Sequence, residues 1–74
     1  MELETLQKII AKILNVDPSE VTLETTFAED LGADSLDFYQ ILVEIEKTQG
    51  IFIDKCSMEK LITVQDVLEM MQTI

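Results

Sequence analysis

A single cysteine, Cys56, is the feature that most constrains how this chain of 74 residues can fold. One thiol cannot form an internal disulfide, so a protein this small has to be held together by its apolar core. Hydrophobic residues make up 47% of the chain, which is enough to build such a core. We therefore expect one domain spanning residues 1–74, folded without cross-links in a reducing, cytoplasmic setting.

The charged residues and the absence of histidine exclude several classes of function. Fifteen Asp and Glu against five Lys give a formal net charge of −10, which would repel nucleic acid. Without histidine, a serine or cysteine nucleophile lacks its usual base, and we predict no catalytic residue. Asp30 and Asp34 do not follow the spacing of a calcium loop, so we predict no metal site; a solvated acidic face is the plain interpretation and a loose divalent site the alternative. We expect a monomer that binds basic proteins and has no membrane span, because no apolar run approaches roughly 20 residues.

The apolar periodicity predicts an all-α fold, a small bundle of three main helices and one short helix. The first helix should end near Asn15, since Asp17-Pro18 disfavours its continuation. A long loop should then lead to the second helix, which runs from Ser35 to about Thr48. Apolar loop residues can hold this connection against the core.

Capping residues predict where the later helices begin and end. Asp34 is placed to cap the start of the second helix, and Gly50 to cap its end. Residues 51–53 are apolar but lack a partner strand, so we predict a buried loop there. One short helical turn should follow and end at Lys60. Thr63-x-x-Asp66 resembles a capping box for the last helix.

The second helix has two apolar faces, of which a small bundle needs only one. Phe38, Ile41, Leu42 and Ile45 form the expected core stripe. The other face, which we call the ridge, lies roughly 140° around the helix and consists of Leu36, Tyr39 and Val43. A loop could cover the ridge, or it could be exposed for docking. Acids border it at Asp37, Glu44 and Glu46, which suits a partner with a hydrophobic groove and a basic rim.

Ser35 stands at the first turn of this helix, where a serine is usually only a helix-start residue. It has no neighbouring base, so any chemistry at its hydroxyl would have to be performed by another enzyme. The string around it, Glu29-Asp30-Leu31-Gly32-Ala33-Asp34-Ser35-Leu36-Asp37, closely resembles the prosthetic-group site of acyl carrier proteins of the fatty-acid-synthase type. The resemblance extends over nearly the whole chain, including Thr63-Val64-Gln65.

The resemblance implies a carrier rather than an enzyme. Ser35 would receive 4′-phosphopantetheine from coenzyme A through a phosphopantetheinyl transferase that needs Mg²⁺, and the arm's thiol would hold acyl groups as thioesters. Acyl-transferring and chain-extending enzymes with basic patches, from fatty-acid, lipid or polyketide biosynthesis, would be the partners. The implied recognition residues are Asp34, Leu36, Asp37, Tyr39, Val43, Glu44 and Glu46. The implied acyl pocket is lined by Phe27, Leu42, Ile45, Ile53, Met58 and Leu61.

Some residues depart from the family pattern. Gln40 and Lys47 stand where the housekeeping carriers commonly have acids, and Lys55-Cys56 replaces part of another acidic segment. These departures reduce the negative charge on the surface that would face partners, which favours a dedicated set of partner enzymes. Related carriers of aminoacyl or D-alanyl groups share the Asp-Ser-Leu core, so the sequence does not determine which group is carried. The rival hypothesis is an acidic helical adaptor that uses the ridge and leaves Ser35 unmodified or phosphorylated.

Overall fold

The structure is a computed structural model that describes residues 1–72, without the side chains of residues 55–57. Within these residues the chain forms helices α1 (Leu3–Leu14), α2 (Ser35–Gln49) and α3 (Val64–Gln72). Two 3-10 helices, Pro18–Glu20 and Lys55–Lys60, lie in the connections. The prediction of an all-α bundle with a long loop before the second helix is confirmed. The turn expected at residues 18–20 is the first of these 3-10 helices. The side chain of Cys56 is not among those described, so the structure does not test its role.

The helix ends follow local capping chemistry, as the sequence predicted. α1 ends at Leu14, and the next residue, Asn15, caps it in a left-handed conformation with φ of 58°. Gly50 ends α2 in the same conformation, with φ of 66°, which glycine adopts at little cost. At the start of α2, Asp34 Oδ1 accepts a hydrogen bond from the Asp37 amide at 2.8 Å. α2 therefore extends from Ser35 to Gln49, one residue beyond the predicted end.

The core is one cluster to which all three helices contribute. The four residues predicted as the core stripe of α2 are all buried, which confirms that interpretation. α1 and α3 each contribute one buried face. The buried apolar residues are Leu6, Ile9, Ile10, Val21, Phe27, Ala33, Phe38, Ile41, Leu42, Ile45, Ile53, Val64, Val67 and Leu68. Their packing fixes the start of α2 against the loop before it.

Backbone hydrogen bonds join the long loop to the start of α3. The amide of Phe27 donates to the carbonyl of Ile62 at 3.1 Å, and the amide of Val64 donates to the carbonyl of Thr25 at 3.0 Å. These bonds flank an isolated antiparallel bridge between Thr26 and Thr63. The loop is thereby held in one conformation although it is not helical. This fixes the position of the residues that precede α2.

Residues 51–53 form a loop, but only one of its apolar side chains is fully buried. Ile53 is 1% exposed, whereas Phe52 is 78% exposed. The Ile53 amide donates to Glu46 Oε2 at 2.6 Å, which ties the loop to α2. Successive side chains of an extended segment point to opposite sides, so burial of Ile53 directs Phe52 outward. The prediction of a buried loop is therefore wrong for Phe52.

Asp66 should make stability depend on acid pH. Its carboxylate accepts the amides of Thr63 and Ile62, both at 3.0 Å, and completes the predicted capping box. These hydrogen bonds hold the pKa of Asp66 below its ordinary value of 3.8. Because the folded pKa is lowered, the stabilisation is present above about pH 4 and is lost as the pH falls through the folded pKa. Asp66→Asn should therefore lower stability by about 0.5 kcal/mol at neutral pH, the scale expected for an exposed acid in the first turn of a helix, and progressively less under acid conditions.

Thermal unfolding of wild type and Asp66→Asn, measured from neutral pH to strong acid, would show whether the difference in their stability shrinks as the pH falls. Glu69→Gln is the matched control, because it removes one negative charge from an exposed side chain of the same helix. A difference between wild type and Asp66→Asn that stays constant down to acid pH would contradict the assignment.

Candidate prosthetic-group site

Ser35 is the first residue of α2, and its side chain is exposed. Its neighbours Asp34 and Asp37 cap the helix. The Asp37 amide donates to Asp34, and the Asp34 amide lies 3.4 Å from Asp37 Oδ2. The serine hydroxyl is therefore not needed for capping. It stands at a helix N-terminus, where amide groups and the helix dipole favour an anionic group such as a phosphoester.

A braced turn presents Ser35 to solvent. Thr26 and Asp30 exchange hydrogen bonds, with Asp30 Oδ2 accepting the Thr26 amide at 2.9 Å and Thr26 Oγ1 accepting the Asp30 amide at 3.1 Å. Gly32 has φ of 65°, a conformation that other residues rarely adopt. The Ala33 amide then donates to the carbonyl of Phe27 at 2.9 Å. This geometry explains why the string before Ser35 contains a glycine and a short side chain.

A cavity of about 280 Å³ adjoins Ser35. It lies between the first turn of α2, the loop that precedes it and the segment before α3. Its inner side includes the rings of Phe27 and Phe38, whose centroids are 4.6 Å apart. The lining residues are Phe27, Ala28, Ala33, Asp34, Ser35, Phe38, Met58, Glu59, Leu61 and Ile62. An apolar group attached near Ser35 could therefore be shielded from water here.

The residues predicted for the acyl pocket divide into two sets. Phe27, Met58 and Leu61 line the cavity beside Ser35. Leu42, Ile45 and Ile53 are not among its lining residues and lie buried in the core. Whether a bound chain reaches these three stays a prediction.

Sequence reasoning also missed several lining residues. The sequence pattern predicts Phe38 only as a core residue, but Phe38 also lines the cavity, one turn after Ser35 on the same helix face. Ile62 had not been singled out, although an apolar residue just before a helix cap was a usable signal. No feature of the sequence marks the other lining residues, Ala28, Ala33 and Glu59, as part of a cavity.

The ridge is exposed, as one of the two sequence interpretations expected. Leu36 is 73% exposed and Tyr39 is 47% exposed, while Val43 is partly buried. Leu36 follows Ser35 directly, so this apolar surface begins beside the hydroxyl. A partner that binds the ridge would therefore have Ser35 within its footprint.

The acids predicted for partner recognition also have roles within the chain. Asp34 and Asp37 cap α2, as described above. Glu44 lies 4.0 Å from Lys12 of α1, and Glu46 holds the amide of Ile53. Lys12 partly offsets the charge of Glu44, whereas the amide hydrogen bonds at Asp34, Asp37 and Glu46 leave the charge of those carboxylates in place.

Comparisons with known proteins bear directly on this site. A family model described as a phosphopantetheine attachment site matches residues 4–74. The acyl carrier protein of Thermosynechococcus vestitus is 48% identical over 67 residues, which cover 90% of this chain and 83% of the relative. The chain belongs to the acyl carrier protein family. The acyl carrier protein of Onion yellows phytoplasma is 43% identical over 68 residues, which cover 92% of this chain and 90% of the relative. That of Helicobacter acinonychis is 44% identical over 66 residues, which cover 89% of this chain and 85% of the relative.

Membership of the acyl carrier protein family makes 4′-phosphopantetheine the prosthetic group. The residues at the start of α2 fit this group, because an exposed hydroxyl stands at a helix N-terminus and opens onto a mostly apolar cavity. Among the described residues, no group of three or more metal-ligating side chains comes together. None of the helices described is both long and apolar enough to cross a membrane.

Proposed function

We propose that this chain carries acyl groups on a 4′-phosphopantetheine arm attached to Ser35 and presents them to biosynthetic enzymes. The observation that carries the proposal is the exposure of Ser35 at the start of α2, beside both the ridge and the apolar cavity. When attached, the arm supplies a terminal thiol that holds acyl groups as thioesters. The chain itself then acts as carrier and substrate rather than as an enzyme.

Attachment at Ser35 is a phosphoryl-type transfer performed by a phosphopantetheinyl transferase with Mg²⁺. Ser35 Oγ forms a bond to the phosphorus that bears pantetheine in coenzyme A, and the pyrophosphate bond breaks. Adenosine 3′,5′-bisphosphate leaves, and the hydroxyl proton passes to a base of the transferase or to solvent. The helix N-terminus then stabilises the phosphodiester, while the transferase and Mg²⁺ offset its repulsion by Asp34 and Asp37.

The ridge and its bordering acids form the partner-binding surface of the proposed carrier. An apolar ridge supplies binding energy, and surface charge speeds the approach of basic partners. Since Lys12 partly offsets the charge of Glu44, and Gln40 and Lys47 replace acids, partners should depend more on the ridge than on charge. We infer a dedicated partner set in the cytoplasm, where the single thiol would stay reduced.

The cavity favours an apolar cargo over an aminoacyl or D-alanyl group. Its lining is mostly hydrophobic, and its two acidic residues, Asp34 and Glu59, are exposed to solvent. An ammonium group would gain more by staying hydrated. Lipid or polyketide intermediates with an alkyl portion are therefore the better match.

Intact-protein mass spectrometry tests the proposal. Incubation with coenzyme A, Mg²⁺ and a broad-specificity phosphopantetheinyl transferase should add the mass of one phosphopantetheinyl group. Replacing coenzyme A with octanoyl-coenzyme A should add the same group plus one octanoyl unit. An unchanged mass with several such transferases would favour the adaptor hypothesis instead.

A further inference from the structure

We propose that the partner-binding surface continues beyond α2 to Phe52, and that Phe52 and Lys47 there select partner enzymes by their surface chemistry. The partner selected is one that places an apolar pocket opposite Phe52 and an acidic or uncharged rim opposite Lys47. This inference rests on the proposed function, because it concerns the enzymes that act on the group carried at Ser35. It goes further by assigning a second contact region to the loop after α2.

The loop after α2 is fixed against the last turn of that helix by Glu46. The carbonyl of Glu46 accepts the amides of Gly50 and Ile51, at 2.8 and 3.2 Å. The Glu46 carboxylate accepts the amide of Ile53 at 2.6 Å. Phe52 is 78% exposed, the highest value among the large hydrophobic side chains described. The loop therefore presents an aromatic ring to solvent on a backbone that these hydrogen bonds hold in place.

Helical geometry places this loop at the far end of the ridge. Tyr39 and Glu46 lie about two turns apart, so they share a face of α2. Because Glu46 binds the backbone of the loop, Phe52 stands beyond the last turn on that face. At 1.5 Å per residue, Glu46 lies about 16 Å along the helix from Ser35. An interface of about 800 Å² per partner is roughly 30 Å across, so one partner can cover Ser35 and Phe52 together.

The charge along this surface changes from its start to its end. Asp34 and Asp37 stand at the start of α2, whereas the last turn carries Lys47, whose side chain is exposed. Lys47 belongs to neither of the two ion pairs found among the described residues. A cation in the last turn also complements the helix dipole, but that role does not account for an exposed ring at Phe52. A partner with a basic rim along the whole helix would be attracted at the start and repelled at the end.

A partner enzyme fits this surface better than a second copy of the chain or a membrane. Two copies with a net charge of −10 each would repel one another, and an anionic lipid surface would repel the chain as well. An enzyme can combine basic groups near its active-site entrance with an apolar pocket and an acidic or uncharged rim farther along. An aromatic side chain that fills such a pocket is a frequent anchor of protein interfaces.

The test compares two chain-extending enzymes of known structure, using wild type and variants loaded with octanoyl-phosphopantetheine. The first enzyme has a basic rim along the whole contact. The second has a basic entrance and, farther along, an apolar pocket bordered by carboxylates. Each takes the octanoyl group from the arm's sulfur onto its own nucleophile, so the carrier loses the mass of one octanoyl unit and kcat/KM can be measured.

The two enzymes should respond to Lys47→Glu in opposite directions. With the first enzyme kcat/KM should rise about fivefold or more, because attraction replaces repulsion, and with the second it should fall by a similar factor. Phe52→Ala should lower kcat/KM with the second enzyme about fivefold or more, because the pocket loses its anchor. Both side chains are exposed, so the fold should be kept, and thermal unfolding checks this.

Matched controls separate this inference from general charge effects and from the proposed function. Lys8→Glu makes the same change of charge on α1, and Leu23→Ala truncates an exposed side chain on the long loop; each should change kcat/KM less than about twofold. Failure to load would contradict attachment at Ser35. Normal loading with the same response to Lys47→Glu in both enzymes, or with Phe52→Ala matching Leu23→Ala, would overturn only the selection. A dimer, detected by light scattering, that Phe52→Ala dissociates would assign the surface to a second copy and would also overturn it.

Discussion

Replacing Ser35 with alanine should abolish phosphopantetheine attachment while leaving the fold intact. The hydroxyl oxygen is the atom that would form the new bond to phosphorus, so its removal leaves nothing to react. The effect on folding should be small, because Ser35 is exposed and Asp34, not Ser35, caps α2. We expect a stability change within about 0.5 kcal/mol. Intact mass after incubation with coenzyme A and transferase measures the first effect, and thermal unfolding measures the second.

The chain provides a matched control for this substitution. Ser19 is exposed and stands in the first 3-10 helix, away from the cavity. Ser19→Ala should gain one phosphopantetheinyl group at the wild-type rate. A folded Ser35→Ala protein that still gained the group would contradict the assignment and would direct attention to Ser19 or Ser57.

The helices could be predicted from the sequence because their boundaries depend on short-range chemistry. Asp34 and Asp37 are three residues apart, and the same spacing joins Thr63 to Asp66. Such a pair closes its hydrogen bonds within one turn and needs no tertiary contact. Gly50 likewise ends α2 through its own backbone conformation. The periodicity of α2 also predicted its buried face.

The cavity could not be predicted to the same extent, because distant segments form it. Phe27 and Ile62 meet through a backbone hydrogen bond between segments 35 residues apart in sequence numbering, which helical periodicity does not indicate. Leu42 and Ile45 fit an apolar lining by pattern, but the pattern does not distinguish a cavity wall from solid core. Phe52 shows the same limit, since hydrophobicity alone did not reveal which side of its loop faces solvent.

Replacing Leu36 with alanine should slow loading by the transferase about tenfold or more. Leu36 is 73% exposed and lies beside Ser35, so a partner that reaches the hydroxyl has to cover it. A minority of interface residues, concentrated near the centre, contribute more than 1 kcal/mol, and about 1.4 kcal/mol corresponds to a factor of ten; we expect Leu36 to belong to that minority because of its place beside the hydroxyl. The kcat/KM for phosphopantetheine transfer measures the effect, with thermal unfolding as a check on the fold.

Leu23→Ala is the matched control, because Leu23 is also an exposed leucine, at 42%, but lies on the long loop outside the ridge. It should change kcat/KM by less than a factor of about two, as expected for a surface substitution outside the interface. Glu44→Gln should also have a smaller effect than Leu36→Ala, since Glu44 lies 4.0 Å from Lys12 and its charge is partly offset within the chain. Exposed charges are further screened by salt, whereas apolar contact is not. A larger loss for Glu44→Gln than for Leu36→Ala would show that charge, rather than the ridge, dominates partner binding.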